Sequence, residues 1–428
     1  MLKTNHQNKV DIGYIIITLI FCSLTLPFIF SDNRYWEHDH VQFHLPNILQ
    51  IRENWPRLDL LKDSLSAISP GYHYFLATIS FLTGKSELNL RIINNIIGLS
   101  IPLLAYYYVR KYVNIKVALL LVFPLALSNF LIKSSLWIGT DNPAFLLVFL
   151  TLILIFDSTD NLSNLQGLKI AFLSALTTFI RQLNVFLVAP SILNIILLEE
   201  ESIKFKINKQ KFLLIFVSLL PLLVIFILYT AWGGLVPPQW KSASVQFSFA
   251  PIAYILAYWG FIAPFYLSGI IKNIKEYINN KFIHFSFILG LLISLISKTT
   301  YSHEDGRWGG YIWTIVQKLP SIYDRSVFFI ILAPLGSVFI AICCIKIKES
   351  VGLKKSILWL SSFLSWASTF IINRQIFPRY FETMILIFLI ICLSYIWQDL
   401  SNNYHKIISI SLFLLIIIQT IITVSLIF

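Results

Sequence analysis

Residues 35–46, YWEHDHVQFHLP, gather Glu37, Asp39 and three histidines (His38, His40 and His44) into one short stretch. A carboxylate in such a place serves as a general base when an incoming hydroxyl comes within hydrogen-bond reach. The competing reading is an ordinary solvated loop acid. Three imidazoles with a carboxylate are also a donor set for a zinc-type ion. On a helix His40 and His44 share a face. No HExxH pattern or CxxC pair accompanies them, and interfacial histidines often serve as structural hydrogen-bonding groups. Neither a metal nor a cofactor is expected.

Isolated cations form the second group. Arg181 stands in TFIRQLNVFLV, among apolar residues. An arginine at membrane depth is costly and usually faces a partner or a water-filled cavity. Arg307 (in EDGRWGGYIW) and Arg379 (in FPRYFE) lie at the ends of apolar runs. Guanidinium groups bind phosphate oxygens through forked hydrogen bonds. A phosphate carried on a lipid would arrive at this depth. The alternative for each is a salt bridge or a side chain that reaches out to the interface.

The elements that must position these residues are apolar runs. The 428-residue chain is 57% hydrophobic and 13% charged, against about 25% charged in soluble domains. Runs long enough to cross a roughly 30 Å hydrocarbon core as helices recur to the C-terminus. They do not alternate in polarity as barrel strands would. The chain therefore reads as an all-α, polytopic membrane protein forming one integral domain over residues 1–428. About 11–13 helices are expected to cross, over 12–30, 92–109, 116–134, 142–157, 170–181, 183–198, 211–231, 250–270, 283–299, 326–346, 355–372, 380–397 and 406–428. The pair around Arg181 is short for two crossings, and 71–83 is short enough to dip in without spanning. The first run lacks a small-residue cleavage site and reads as a retained helix. Cys22, Cys343, Cys344 and Cys392 all lie inside apolar runs and read as small core residues.

The net charge is +12. The lysines concentrate in short connections (RKYVNIK, KFKINKQK, KNIKEYINNK, KIKESVGLKK), which points to membrane orientation rather than nucleic acid. These loops are expected in the cytoplasm with the N-terminus. The opposite face then holds residues 31–70, the WIGTDNP turn, 232–249, 300–325 and NRQIFPR. The first of these loops carries six acidic and four basic side chains. Loops this long are usually functional or disordered, and their Trp and Tyr content argues for packing at the interface.

At this point the motifs resemble a known family. HDHVQFHLPNILQ, SPGYHYF, GTDNPAF, FIRQLNVFLV, EDGRWGGYIW and PRYF follow one another in the order seen in polyprenol-phosphate-dependent glycosyltransferases of the GT-C class. In particular they resemble the dolichyl-phosphate-glucose-dependent terminal α-1,2-glucosyltransferases of lipid-linked oligosaccharide assembly. The resemblance extends from about residue 35 to 381. It implies a catalytic carboxylate on the first external loop, Asp39 or Glu37, with a lipid-linked donor entering beneath it. It implies donor-phosphate contacts from Arg307, Arg181 and Arg379, and substrate-orienting roles for His44, Asp141, Gln182, Asn184 and Asp305. The partners would be a polyprenyl-phosphate sugar, a glycan or lipid-linked acceptor and membrane lipids. The transfer would be an inverting hexosyl transfer, with glucose the sugar the resemblance suggests. The membrane would be a bacterial inner membrane, or the endoplasmic reticulum in a eukaryote, with the site on the non-cytoplasmic face. Two rival readings are a transporter or lipid flippase, which predicts paired repeats and midplane sites, and a glycan polymerase or ligase with a lipid-pyrophosphate donor.

Overall fold

The computed structural model describes residues 11–31, 38–57, 59, 64–159, 162–197, 209–271 and 277–427. Glu37 lies outside the described residues. The helices are α1 (Ile12–Phe30), α2 (Leu45–Asn54), α3 (Gly71–Thr83), α4 (Glu87–Val109), α5 (Ile115–Ala126), α6 (Asn129–Leu136), α7 (Asp141–Asp157), α8 (Asn164–Ile180), α9 (Val188–Ile196), α10 (Lys209–Ser218), α11 (Leu220–Trp232), α12 (Lys241–Ser244), α13 (Ala250–Ile271), α14 (Lys281–Ile296), α15 (Gly310–Lys318), α16 (Val327–Val351), α17 (Leu353–Thr369), α18 (Glu382–Ile396) and α19 (Asn402–Ile427). Among the described residues the only sheet is a two-stranded hairpin, β1 (Ser321–Ile322) with β2 (Arg325–Ser326).

This is a multi-pass helical membrane protein. Among the described residues eight helices are long and apolar enough to cross a membrane, or nine if the bent pair α5–α6 is one span. Gln182–Ile196 and α14 are shorter apolar helices, and α7 and α8 are 17 residues each. Each run expected as a span coincides with helix, but four of these helices are too short to count among the candidate spans, so the 11–13 expected crossings reduce to eight or nine among the described residues. The 13-residue α3 does not cross. At 1.5 Å per residue it is about 20 Å long, and its last turn stays beside the start of α4, where Asn89 Nδ2 donates to the Thr83 carbonyl.

Polar residues at the termini set the boundaries. Ser86, Asn114, Ser128 and Ser326 each accept a backbone N–H with the side chain at the start of a helix. Ser163 and Gln166 form a reciprocal capping box on α8. The run 116–134, expected as one straight span, is instead bent by 62° between α5 and α6. Pro124 removes a helical donor there, and the Ser128 hydroxyl satisfies the N–H of Leu131 instead of continuing the helix.

The centre of the bundle is the span Pro378–Asp399, buried throughout residues 380–397. Around it α13 and α16 approach backbone to backbone. A Cβ at Gly260 would collide with the Leu332 carbonyl, and one at Gly336 with the Leu256 carbonyl. Small residues permit such contacts where no hydrophobic drive exists between helices in lipid. Lipid-facing side chains such as Phe216, Phe226, Phe285 and Ile421 are exposed, as a bilayer solvent requires.

The two ends differ in chemistry. At one end Asp11 caps α1 and accepts from Tyr106 Oη (2.6 Å) and Arg110 Nε (3.0 Å). Lys111 pairs with Asp157 at 2.7 Å, and Gln398 donates to the Tyr112 carbonyl. At the other end the long loops are stitched together. Gln246 N donates to Ile372 O, Ser248 N to Ile371 O and Arg374 N to Ser244 O. Ile376 N donates to Gly306 O, and Gln239 Nε2 to Ser64 O. These five contacts join four of the loops that the charge pattern assigned to a common face.

Candidate functional site

The first loop reaches the bundle through an insertion. His40–His44 forms a π-turn that leads directly into α2, a feature often found at functional sites. The turn sends its histidines in different directions. His38 is exposed and meets the edge of Phe43. His40 is buried. Its Nδ1 accepts the N–H of Ile138, so Nε2 carries the hydrogen and donates to Glu87 Oε1 at 3.1 Å. His44 instead meets His73, with Nδ1 and Nε2 2.9 Å apart. Burial lowers the His40 pKa from its ordinary value. Burial, then Arg379, His40 and Arg181, push His44 down to about 3. Among the described residues no group of three or more His, Cys, Asp or Glu side chains is arranged to hold a metal ion.

Asp39, at the start of the π-turn, belongs to an alternating array of charges. Its Oδ2 accepts from Arg379 Nη2 at 2.6 Å. Arg379 Nε lies 3.8 Å from Asp141 Oδ2, and Asp141 Oδ1 pairs with Arg181 Nη1. The Tyr380 ring lies 4.4 Å from the Arg181 guanidinium and 5.4 Å from that of Arg379. Four distant segments supply these groups, each with a local reason. Asp141 opens α7, where a carboxylate is favoured by the helix dipole, and Asn142 anchors that turn on Ser135 Oγ at 2.8 Å. Arg181 sits where α8 ends and the backbone becomes extended before the 3₁₀ turn Gln182–Leu187. Arg379 lies in the turn Pro378–Tyr380 that precedes α18. The side chains of Asp141 and Arg181 are about one-tenth exposed, those of Asp39 and Arg379 about one-third. The array thus runs from the protein interior to an opening.

That opening is a cavity of about 350 Å³. Its lining combines the polar side chains of Asp39, His44, Arg181, Gln182 and Arg379 with the apolar ones of Leu183, Leu222, Ile225 and Ile372. A lining that holds both guanidiniums and aliphatic side chains suits an amphipathic, anionic ligand.

The expected site residues divide accordingly. Asp39, His44, Arg181, Gln182 and Arg379 line the cavity, and Asp141 stands behind them. Gln182 accepts from Ser69 N (3.0 Å) and Ser69 Oγ (3.1 Å) and donates to Ala67 O (2.8 Å), so it ties the end of the first loop to Arg181. Asn184 is buried and donates to Thr177 O, satisfying a carbonyl at the broken end of α8. It does not line the cavity. Arg307 and Asp305 also lie outside the lining. Arg307 is held within its own turn, by Asp305 Oδ2 at 2.9 Å and Thr300 O at 2.7 Å.

Three residues at or behind the site carried no expectation. His73 backs His44. Tyr380 carries the two guanidiniums. Glu382, fully buried at the start of α18, accepts from Ser128 Oγ, Tyr258 Oη and Tyr311 Oη. The legible signal for Glu382 is a lone acid opening the apolar run TMILIFLIICLSYI.

Comparison with known proteins adds two findings. A family model described as dolichyl-phosphate-mannose-protein mannosyltransferase matches residues 68–230, less than half of the chain. The matched region holds Asp141, Arg181 and Gln182; Asp39 and Arg379 fall outside it. No curated protein matches. Among solved structures the chain is similar to the crystal structure of the Archaeoglobus fulgidus oligosaccharyltransferase complex with Zn and sulfate. The identity is 13% and the TM-score 0.39, with 95% of this chain and 53% of that chain covered. The chain thus spans about half the length of that structure.

Proposed function

We propose that this protein is a membrane glycosyltransferase of the GT-C class that moves a sugar from a polyprenyl-phosphate carrier to a glycan or lipid-linked acceptor. The observation that carries this reading is the array Asp39–Arg379–Asp141–Arg181, three of whose members line a cavity shared with aliphatic side chains. The family match over residues 68–230 supports a lipid-linked donor. The motif order supports a hexose, with glucose the first to test.

In this reading the donor phosphate sits against Arg379 and Arg181, and its prenyl chain follows the aliphatic side chains. The acceptor hydroxyl attacks the anomeric carbon on the side opposite the phosphate. A carbon–oxygen bond forms to the acceptor as the carbon–oxygen bond to phosphate breaks, and the configuration inverts. Asp39 takes the hydroxyl proton. The leaving prenyl phosphate keeps the bonding electrons, and the two guanidiniums stabilise the charge that gathers there. A phosphate is already a good leaving group, so no general acid is required. In this structure Asp39 is tied to Arg379. An arriving phosphate competes for that guanidinium and frees the carboxylate, so donor binding prepares the base. The charge pattern supports a cavity on the non-cytoplasmic face, of a bacterial inner membrane or, in a eukaryote, of the endoplasmic reticulum.

The test uses the purified protein in liposomes, with radiolabelled polyprenyl-phosphate glucose, a mannose counterpart and an acceptor lipid. Asp39→Asn should lower transfer about 10²–10⁴-fold, the range for losing a general base, while donor binding persists. Glu37→Gln serves as the parallel variant. Undiminished transfer in both variants would reject the mechanism, and transfer from neither donor by the wild type would reject the activity.

A further inference from the structure

His44 and His73 form a stacked pair, with ring centroids 5.2 Å apart and planes inclined by 20°. His44 lines the cavity, whereas His73 is completely buried. Between His44 Nδ1 and His73 Nε2, at 2.9 Å, one proton must lie. Which ring owns it is decided behind the pair. His73 Nδ1 is shut away from solvent and has no hydrogen-bond partner. If His73 carried its hydrogen on Nδ1, a buried N–H would be stranded. If it carries the hydrogen on Nε2, what is stranded is an acceptor lone pair. Orphaned buried N–H groups are the rarer of the two, because losing a donor's only bond incurs its full desolvation cost. His73 is therefore the Nε2–H tautomer and donates to His44 Nδ1. A neutral His44 whose Nδ1 accepts must carry its own hydrogen on Nε2. That is the ring nitrogen left for the cavity.

We propose that His73 is a positioning residue that fixes His44 as an Nε2–H donor, aimed at an anionic oxygen held between Arg181 and Arg379. The tautomer stands on the pair alone; the identity of the anion rests on the functional reading above. The consequence is a division of labour. His44 supplies a neutral hydrogen bond to the phosphate end of the ligand and is disqualified as the base, which leaves proton removal to a carboxylate. Neutrality matters here. A third cation beside two guanidiniums would be repelled, whereas a neutral donor adds directionality without charge. The pair also keeps the ring from turning when the cavity is empty, so the donor is oriented before the ligand arrives.

The full-length protein, labelled with ¹⁵N-histidine in lipid nanodiscs, reads the tautomer directly. Single His→Gln variants assign its eight histidines. The expected spectrum has a pyridine-type Nδ1 and a pyrrole-type Nε2 for His44. A pyrrole-type Nδ1 there overturns the proposal. Addition of undecaprenyl phosphate should shift the His44 Nε2 resonance, with inorganic phosphate as the probe lacking a lipid chain. A shift with both assigns the site to phosphate as such, and a shift with the lipid alone assigns it to the anchored headgroup. If calorimetry shows binding but the resonance stays put, the donor role fails while the functional reading survives. If neither probe binds the wild type, that reading fails and takes the donor role with it. In transfer assays, His73→Leu should raise the donor KM roughly tenfold, the scale of one hydrogen bond to a charged group, with little change in kcat. His73→Gln, which can still donate to His44 Nδ1, should restore it. Equal donor KM in a folded His73→Leu protein overturns the positioning role, and if that variant does not fold the spectrum decides.

Discussion

Asp141 and Glu382 are both buried carboxylates at the first residue of a helix, and they are satisfied in opposite ways. Asp141 meets two guanidiniums, Arg181 directly and Arg379 at 3.8 Å, and its partners border a cavity. Glu382 meets hydroxyls, from Ser128, Tyr258 and Tyr311, and is fully buried. Guanidiniums can exchange one anion for another, so the first arrangement is able to admit a ligand phosphate. Hydroxyls contributed by α13, α15 and the cap of α6 pin the start of α18, three residues beyond Arg379. On the proposed function the first centre opens to a ligand, and the second keeps its neighbour still. The bend between α5 and α6 belongs to the second centre, since Ser128 both caps α6 and donates to Glu382.

The comparison is broken most directly at Arg181. Arg181→Ala leaves Asp141 with only the more distant guanidinium, and stranding one partner of a buried pair typically costs about 3–5 kcal/mol. Denaturation in mixed micelles should show that loss, and the double variant Arg181→Ala, Asp141→Asn should recover much of it. A loss below about 1 kcal/mol would mean that Asp141 is not sustained by charge. Glu382→Gln should cost less, about 1–3 kcal/mol. Gln keeps the shape and one acceptor oxygen, and the hydroxyls can turn to accept from its amide. If this variant proves more damaging than Arg181→Ala, the ranking of the two centres is inverted.

The histidines behind Asp39 sharpen the comparison through pH. His44 has its pKa lowered to about 3 from 6.5, and His73 is lowered well below 6.5 by burial and by His44. The folded protein therefore refuses protons that the unfolded chain accepts, and stability rises with pH across that interval. It is complete above about pH 6.5 and is lost progressively as pH falls toward 3. One unit below 6.5 each histidine costs about 1 kcal/mol. Melting temperatures between pH 7 and 5 should fall in the wild type and fall less steeply in His44→Gln, which keeps His73. An unchanged slope would locate the acid sensitivity elsewhere.

Much of this was legible along the chain, and the physical reason is local. Arg181 stands out because a cation among apolar residues needs a partner, and Arg379 because it stands at the end of an apolar run; both line the cavity. The long loops were readable as one face because lysine density marks the other. What stayed hidden depends on partners far away in sequence. Nothing in ALSNFLIKSS foretells that Ser128 will bend a span, because its second partner is 254 residues on. His73 sits in an apolar helix and becomes informative only against His44. Arg307 is the converse case. Its motif promised a phosphate contact, but Asp305 and Thr300 lie close enough in sequence to hold the guanidinium.

The mildest test removes one hydroxyl from the closed centre. Tyr311 Oη donates to Glu382 at 3.2 Å and is itself in contact with Tyr258 Oη, which donates to the same carboxyl oxygen. Tyr311→Phe leaves Tyr258 and Ser128 in place, so the carboxyl keeps two of its three hydroxyl donors. A loss of about 0.5–1 kcal/mol is expected, the low end for a single hydrogen bond, with transfer and donor KM close to wild type. The pairing with Tyr258 makes the result diagnostic. If the three hydroxyls act as independent ties, Tyr258→Phe should cost a similar amount and the two losses should add. If they act as one network, the double variant should cost clearly more than the sum, because the second removal leaves Glu382 with Ser128 as the remaining hydroxyl of the three. A donor KM that rises in Tyr311→Phe at unchanged melting temperature would show that the closed centre reaches Arg379 through more than rigidity, and the separation drawn between the two carboxylates would have to be given up.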